Sequence, residues 1–338
     1  MARLIRDHDF LETADSWIFC VIGDIHPPGR FLSYLKYIPG TGPWRKGGRS
    51  FSRVFSLYSM NEFKRMLEYL KEVKPELVKY DPVMGIEISS VPANLIQKHY
   101  SCLERLRELF KRGPRDRLEE LAIALVEEIC DHGDLREDDF GITGSILLQM
   151  HHKKSDIDLI VYGRREFWKV VKILDELGDL GVRSREHVLR KMLKRYPITL
   201  RDAMKLVDRM RCKGVYQGVG FSIHGVRKSE EISERYSDKI YRKIGLAHAT
   251  LEVDDPSESC FNPAIYKVHG IAEIGGREYY VEQLMCYDLT FSAMFQEGDR
   301  IEAYGKLESV VDRVHGKKFY SLLVGSVEAA GREYVRLI

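Results

Sequence analysis

The sequence predicts a mixed α/β (α+β) protein in three parts: an N-terminal α+β module over residues 1–90, a core with a mixed sheet over 91–245, and a small C-terminal β barrel over 246–338. Three observations carry this reading. Residues 16–38 are dense in aromatic and β-branched side chains and are interrupted by Pro27-Pro28-Gly29, the pattern of strands broken at a turn. In the middle third, apolar residues recur at helical spacing, as in Leu118, Leu121, Ala122, Leu125, Val126 and Ile129, with short alternating runs between them. From about residue 247 onward, strand-like runs are separated by Gly275-Gly276, Glu297-Gly298 and His315-Gly316, which is the spacing of a barrel or sandwich.

Taken in order, residues 40–49 read as a loop carrying Arg45, Lys46 and Arg49. Ser59 and Glu62 form a capping box for a helix with Phe63, Met66, Leu67 and Leu70 on one face. A strand over Val83–Ser89 follows, then helices over 93–111 and 115–130 flanking Gly113-Pro114. Phe140–Thr143 and Ile157–Val161 alternate as strands around a helical Ile146–His151. Helices fit Glu166–Leu177, Arg185–Tyr196 and Leu200–Arg211, the last capped by Thr199 with Asp202, and Val219–Val226 reads as a strand.

The 338 residues suffice for two or three domains. With 44% hydrophobic and 31% charged residues the composition is globular, not disordered or fibrous. No apolar run reaches the roughly 18–20 residues that span a bilayer, and Met1-Ala2-Arg3-Leu4-Ile5-Arg6-Asp7 turns charged before a signal-type segment develops. Six cysteines without CxxC spacing argue for a reduced, cytoplasmic setting and against a zinc ribbon. A net charge of +2 hides an asymmetry: 183–228 holds thirteen Lys/Arg against three acids, and 249–306 eleven acids against four bases. The basic stretch is a candidate surface for RNA or DNA, as is the aromatic and basic run Trp44–Phe51.

The sharpest chemical signal is Ile142-Thr143-Gly144-Ser145, then ten residues, then Asp156-Ile157-Asp158-Leu159-Ile160-Val161. Alternate strand residues share a face, so Asp156 and Asp158 project together while Ile157 and Leu159 enter the core. Two carboxylates on one face suit a hard divalent cation, Mg²⁺ or Mn²⁺. Gly144 and Ser145, where a strand turns into a helix, let a phosphate approach the backbone. Lys153 and Lys154, just before Asp156, are placed to neutralise phosphate.

These residues resemble the core of the DNA polymerase beta superfamily of nucleotidyltransferases: a hydrophobic residue, Gly-Ser, a spacer, then Asp-hydrophobic-Asp. Gly144, Ser145, Asp156 and Asp158 match residue by residue, and the resemblance covers about 115–228. The whole chain is also similar to an uncharacterised archaeal group of predicted nucleotidyltransferases with an N-terminal extension and a C-terminal β module. The resemblance implies a nucleotidyltransferase core that uses NTP and Mg²⁺ or Mn²⁺ to transfer a nucleoside monophosphate to a hydroxyl. Asp156 and Asp158 would serve as metal-binding catalytic residues, and Gly144, Ser145, Lys153 and Lys154 would bind the nucleotide. The stretch Glu297–Gly305 resembles an OB-type barrel.

One position departs from that pattern. The third carboxylate expected on a later strand falls on Ser222 in Gly220-Phe221-Ser222-Ile223-His224, and a hydroxyl neither bridges metals nor serves as a base as an acid does. Glu87, Glu252 and Asp254 are the candidate substitutes. The departure favours the alternative reading, a non-catalytic protein that keeps the fold and binds nucleotide or nucleic acid. A second motif, Gly23-Asp24-Ile25-His26, looks like the opening of metallophosphoesterases, but their remaining Gly-Asp-x-x-Asp, Gly-Asn-His and Gly-His-x-His motifs are missing. His26 is therefore expected to hydrogen-bond in a turn.

Overall fold

The computed structural model describes residues 4–55, 59–177 and 185–338; Met1–Arg3 and Arg183, used above, lie outside the described residues. In chain order the elements are β1 (Phe10–Thr13), β2 (Ile18–Val21), β3 (Arg30–Lys46), β4 (Arg49–Arg53), α1 (Met60–Val73), β5 (Val78–Asp81), β6 (Ile86–Pro92), β7 (Ile96–Tyr100), α2 (Cys102–Arg112), α3 (Arg117–Asp131), β8 (Phe140–Ile142), α4 (Gly144–Leu147), β9 (Ile157–Tyr162), α5 (Arg164–Glu176), α6 (Arg185–Arg195) and α7 (Leu200–Val207). Then follow β10 (Lys213–Tyr216), β11 (Val219–Val226), β12 (Lys239–Asp255), β13 (Ala264–Ile274), β14 (Arg277–Cys286), β15 (Arg300–Asp312), β16 (Lys317–Val324) and β17 (Tyr334–Leu337). The architecture is mixed α+β with several sheets. No helix among the described residues is long and apolar enough to cross a membrane.

The chain divides into two units. One comprises Met1–Phe55, Ser90–Arg183 and Arg211–Ile232; the other Ser56–Ser89, Ser184–Met210 and Ser233–Ile338. The stretches 1–90 and 91–245 thus each contribute to both units.

In the first unit, β7, β1, β2 and β3 form an antiparallel sheet, β4 folds back on β3, and Ser90–Pro92 pair with Arg30–Leu32. A second sheet runs β10-β11-β9-β8, with β11 parallel to β9 and the outer pairs antiparallel. Its two faces have different partners because strand side chains alternate. Ile160, Tyr162 and Val226 join Phe10, Ile18, Cys20, Tyr37 and Phe51 in one apolar cluster. On the opposite face Ile157, Leu159, Phe221 and Ile223 are buried and α5 lies along β9 and β11, with α3 against α5. Helix α2 is tied to α3 by charge: buried Glu119 accepts from Arg105 at 2.7 Å and Arg112 at 2.8 Å, and from the Arg115 backbone N–H at 2.9 Å.

In the second unit, β12 pairs with β13, β13 with β14, β14 in parallel with β16, β16 with β15, and β15 back to β12. The five strands are thus hydrogen-bonded round a closed circuit, with β17 added to β15. Leu251, Tyr266, Leu284, Phe291, Phe295, Ile301 and Leu307 fill its core, joined by Met192 and Tyr196 of the α6 segment and by Ala203 and Leu206 of α7. The Thr199–Asp202 capping box is present in both directions, and Ser59 accepts from the Glu62 N–H at the start of α1.

Several elements differ from the sequence expectation. Residues 40–49 are not a loop: Trp44, Arg45 and Lys46 pair with Phe51, Ser50 and Arg49, and the reversal is made by Gly47 and Gly48 at φ 54° and 77°, a conformation glycine adopts without a steric penalty. The helix expected over 93–111 begins at Cys102, where Ser101 caps it, because Ile96–Tyr100 are taken by pairing with β1. The strand expected at Val83 starts at Ile86; Asp81 accepts from the Val83 and Met84 N–H groups and makes a turn there. The helix expected over Ile146–His151 is a single turn, Gly144–Leu147.

Candidate functional site

Asp158 is the second residue of β9, and Asp156 immediately precedes that strand. Both are half-buried while Ile157 and Leu159 are fully buried, the alternation a strand imposes. Thr143 follows β8 and is anchored by its N–H to the Asp158 carbonyl at 2.9 Å, so the Gly144 turn stands beside Asp158. Gly144 has φ +66°, and a Cβ there would lie 2.5 Å from Asp158 Oδ2. Only glycine satisfies both the left-handed backbone and the approach of the carboxylate. Ser145 is buried, and its carbonyl accepts from the Met150 N–H at 2.9 Å. Lys153 and Lys154 are exposed on the connection to β9, which is tightened by Ser155 Oγ accepting from the His152 N–H at 3.0 Å. Trp44 lies 6.1 Å from the His152 ring, with the Arg53 guanidinium 4.9 Å from the Trp44 ring, so the aromatic and basic hairpin borders this connection.

Ser222 is the Cα partner of Asp158 across β11 and β9. Its hydroxyl donates to Asp158 Oδ1 at 2.6 Å and lies 3.0 Å from His224 Nε2. The place read for a third carboxylate is thus next to Asp158 and holds a hydroxyl. Of the candidate substitutes, Glu87 is ion-paired with Lys71 and Asp254 contacts His269 Nδ1 at 2.7 Å, and these two, like Glu252, belong to the other unit.

The sequence reading missed Asp7-His8-Asp9. All three are buried, and His8 is left-handed at φ 66°. The His8 carbonyl accepts from Thr143 Oγ1 at 2.8 Å. Asp9 accepts from the Cys102 N–H at 2.9 Å and contacts His99 Nε2 at 2.8 Å. The His8 ring lies 4.7 Å from His224, with its Nδ1 2.9 Å from Asp7 Oδ2. Polar groups therefore follow one another from Asp158 through Ser222, His224 and His8 to Asp7. Burial, then the neighbouring His8, Lys213 and Lys36, holds the His224 imidazole well below its ordinary pKa, which keeps it neutral at pH 7. Three charged residues before a strand look like any solvated terminus, so the sequence offered no signal for this cluster.

Asp24 and His26 are occupied structurally. Asp24 accepts from the Asp7 N–H at 3.3 Å and faces Arg227 at 3.7 Å; burial, then the Asp7 charge, pushes it up to about 6. His26 Nδ1 accepts from the Leu32 N–H at 3.2 Å, as expected for a turn, and burial pushes it down to about 4. The basic stretch 183–228 is shared between the two units. Many of its charges have internal partners: Arg190 with Glu186, Arg195 with Asp288, Arg209 with Asp299, Arg211 with Asp175, and Lys228 with Asp139 and Glu166.

Among the described residues, no three His, Cys, Asp or Glu side chains converge as a self-sufficient metal site. Magnesium carried by a nucleotide needs only one or two carboxylates, the rest of its octahedron being phosphate oxygens and water. Asp156 and Asp158 are carboxylates of that kind, with the bare Gly144 backbone against Asp158.

The chain matches no known protein family and no solved structure. It is similar to a protein of Methanocaldococcus jannaschii described as uncharacterized protein MJ1086, with 25% identity over 98% of this chain and 99% of the relative. The likeness spans both chains almost completely and carries no assignment of activity.

Proposed function

We propose that the first unit is a nucleotidyltransferase core that transfers a nucleoside monophosphate from an NTP to a hydroxyl acceptor. The observation that carries the reading is Gly144: its backbone turn faces Asp158 Oδ2 so closely that no side chain fits between them, leaving a cradle of carboxylate and bare backbone. In this reading Asp156 and Asp158 hold Mg²⁺ or Mn²⁺ with the nucleotide, Gly144 and Ser145 lie along the phosphates, and Lys153 and Lys154 offset their charge. The ion, when bound, screens the triphosphate and stabilises charge on the oxygens at the reacting phosphorus. The fold supports it in that β8, α4 and β9 place the motif on a strand–turn–strand and β11 runs parallel to β9. The closed strand circuit of the second unit, with β14 parallel to β16, supports an OB-like barrel. Free cysteines accord with a reduced, cytoplasmic setting.

Incubation with each labelled NTP and Mg²⁺ or Mn²⁺, scanning RNA, DNA and protein for label, tests the proposal. Transfer that disappears in Asp158→Asn is expected; label that persists in that variant sinks it. The second reading, a nucleotide- or nucleic-acid-binding regulatory protein that has lost turnover, is favoured by one observation. The hydroxyl of Ser222 already engages Asp158 where an acid is needed for two-ion chemistry. Metal-dependent nucleotide binding without any transfer is the outcome it predicts.

A further inference from the structure

The register of the four-stranded sheet sets three residues in one row: Lys213 opposite Ser222 on β10 and β11, and Ser222 opposite Asp158 on β11 and β9. Residues directly opposite one another project to the same face. Their chain neighbours Gly214, Phe221 and Ile157 are buried on the other face, while Lys213 is exposed and Ser222 and Asp158 are half-buried. Strands lie about 4.8 Å apart, and an extended lysine side chain spans more than one such interval. From this register position a lysine side chain is long enough to carry its ammonium over Ser222 towards Asp158. Its charge is felt at His224, two residues along β11.

Resting on the nucleotidyl-transfer reading, we propose that this site works with one divalent ion, and that the ammonium of Lys213 supplies the positive charge a second ion would bring. The physical reason is charge balance. A second ion needs an additional acid to hold it beside the first, and the row contains Ser222 instead. A hydroxyl contributes no charge, so the two carboxylates suffice for one ion shared with the triphosphate. The neighbouring lysine, a compact point charge, then interacts with the α-phosphoryl oxygens. In the reaction, the acceptor oxygen bonds to the α-phosphorus as the bond to the bridging oxygen breaks. The electron pair leaves with pyrophosphate, and the acceptor's proton passes to water.

Counting bound Mn²⁺ per chain by electron paramagnetic resonance, with saturating α,β-methylene analogues of the four NTPs, tests this without requiring turnover. Wild type is expected to take up one ion per chain, and Ser222→Asp/Lys213→Ala two. Lys213→Ala alone is expected to weaken analogue binding about tenfold, the effect of losing one charge-assisted contact, and Lys213→Arg to retain most of it. Because Lys213 is exposed, its variants remain folded even where Ser222→Asp does not. Two ions on the wild type, or unchanged analogue affinity in Lys213→Ala, overturns the inference while leaving nucleotidyl transfer standing. No analogue-dependent Mn²⁺ uptake by the wild type overturns both, and so separates the two failures.

Discussion

At Gly144 two constraints meet in one residue: φ +66° and a carboxylate 2.5 Å from where a Cβ would be. An L-residue in this conformation costs about 1–2 kcal/mol, and the added methyl must push Asp158 aside. Gly144→Ala is thus expected to lower stability by about 1–2 kcal/mol in urea denaturation and, in addition, to weaken Mn²⁺-nucleotide binding. Full nucleotide affinity in a folded Gly144→Ala protein would separate the glycine from the site. The hydroxyl of Ser222 makes a contrasting case. Ser222→Ala leaves Asp158 Oδ1 without its 2.6 Å donor but removes no charge, so metal uptake with nucleotide is expected to survive with only a few-fold change in affinity. A loss as large as that of Asp158→Asn would mean that Ser222 itself binds the ion or the nucleotide. The pairing of Asp158 with Gly144 was legible in the sequence because strand period and spacing are local properties. The Asp7-His8-Asp9 cluster was not, since its partners Cys102, Thr143 and His224 lie about 90 to 220 residues away.

Among the elements, α2 and α3 are joined through Glu119, which is buried beside Arg105 and Arg112. Removing one member of a buried ion cluster strands the others without a counter-charge and costs roughly 3–5 kcal/mol. Glu119→Ala is expected to lower the unfolding free energy of the chain by that amount, whereas Glu108→Ala, whose carboxylate is exposed, is expected to change stability by less than about 1 kcal/mol. Equal effects of the two variants would show that burial does not set the cost. The starts of α1 and α7 were anticipated because both carry their own signals, in Ser59 and in Thr199 with Asp202, whereas α7 ends at Val207, four residues before the expected Arg211. Strands β11, β13 and β15 were legible for a similar reason, as alternating runs between turn residues. The failures at 40–49 and 93–100 share one cause. Gly47-Gly48 and Ile96–Tyr100 are decided by pairing with β4 and β1, and no local pattern declares a remote partner.

For the molecule as a whole, buried acids give stability a definite dependence on pH. Burial, then Asp288, pushes Glu333 from 4.5 to about 7, against the pull of the Gly325 and Ser326 N–H groups and Arg195. A carboxyl raised on folding binds its proton more tightly in the native state, so the stability it contributes is complete below about 4.5 and is lost as the pH rises to about 7. Asp24, raised from 3.8 to about 6, acts in the same direction. His26, lowered from 6.5 to about 4, acts oppositely, stability rising with pH across that window. Glu333→Gln keeps an acceptor for the two N–H groups and removes the titration. It is expected to flatten the decline between pH 4.5 and 7 by up to about 3 kcal/mol. Superimposable pH profiles for wild type and Glu333→Gln would rule this out.

The alternation of segments between the two units has a consequence for the order in which the protein is made. The chain leaves the ribosome from its N-terminus, and the first unit is complete only when Ile232 has emerged. By then Ser56–Ser89 and Ser184–Met210 have been synthesised, yet their unit still lacks everything from Ser233 onward. Met66, Leu67 and Leu70 of α1, buried in the finished protein, have β5 beside them early but must wait through more than a hundred further residues for β12–β17 of their own unit. Nascent chains halted once residue 232 has cleared the ribosome should therefore display a protease-resistant first unit with cleavage confined to 56–89 and 184–210. Release of the last hundred residues should protect both stretches together.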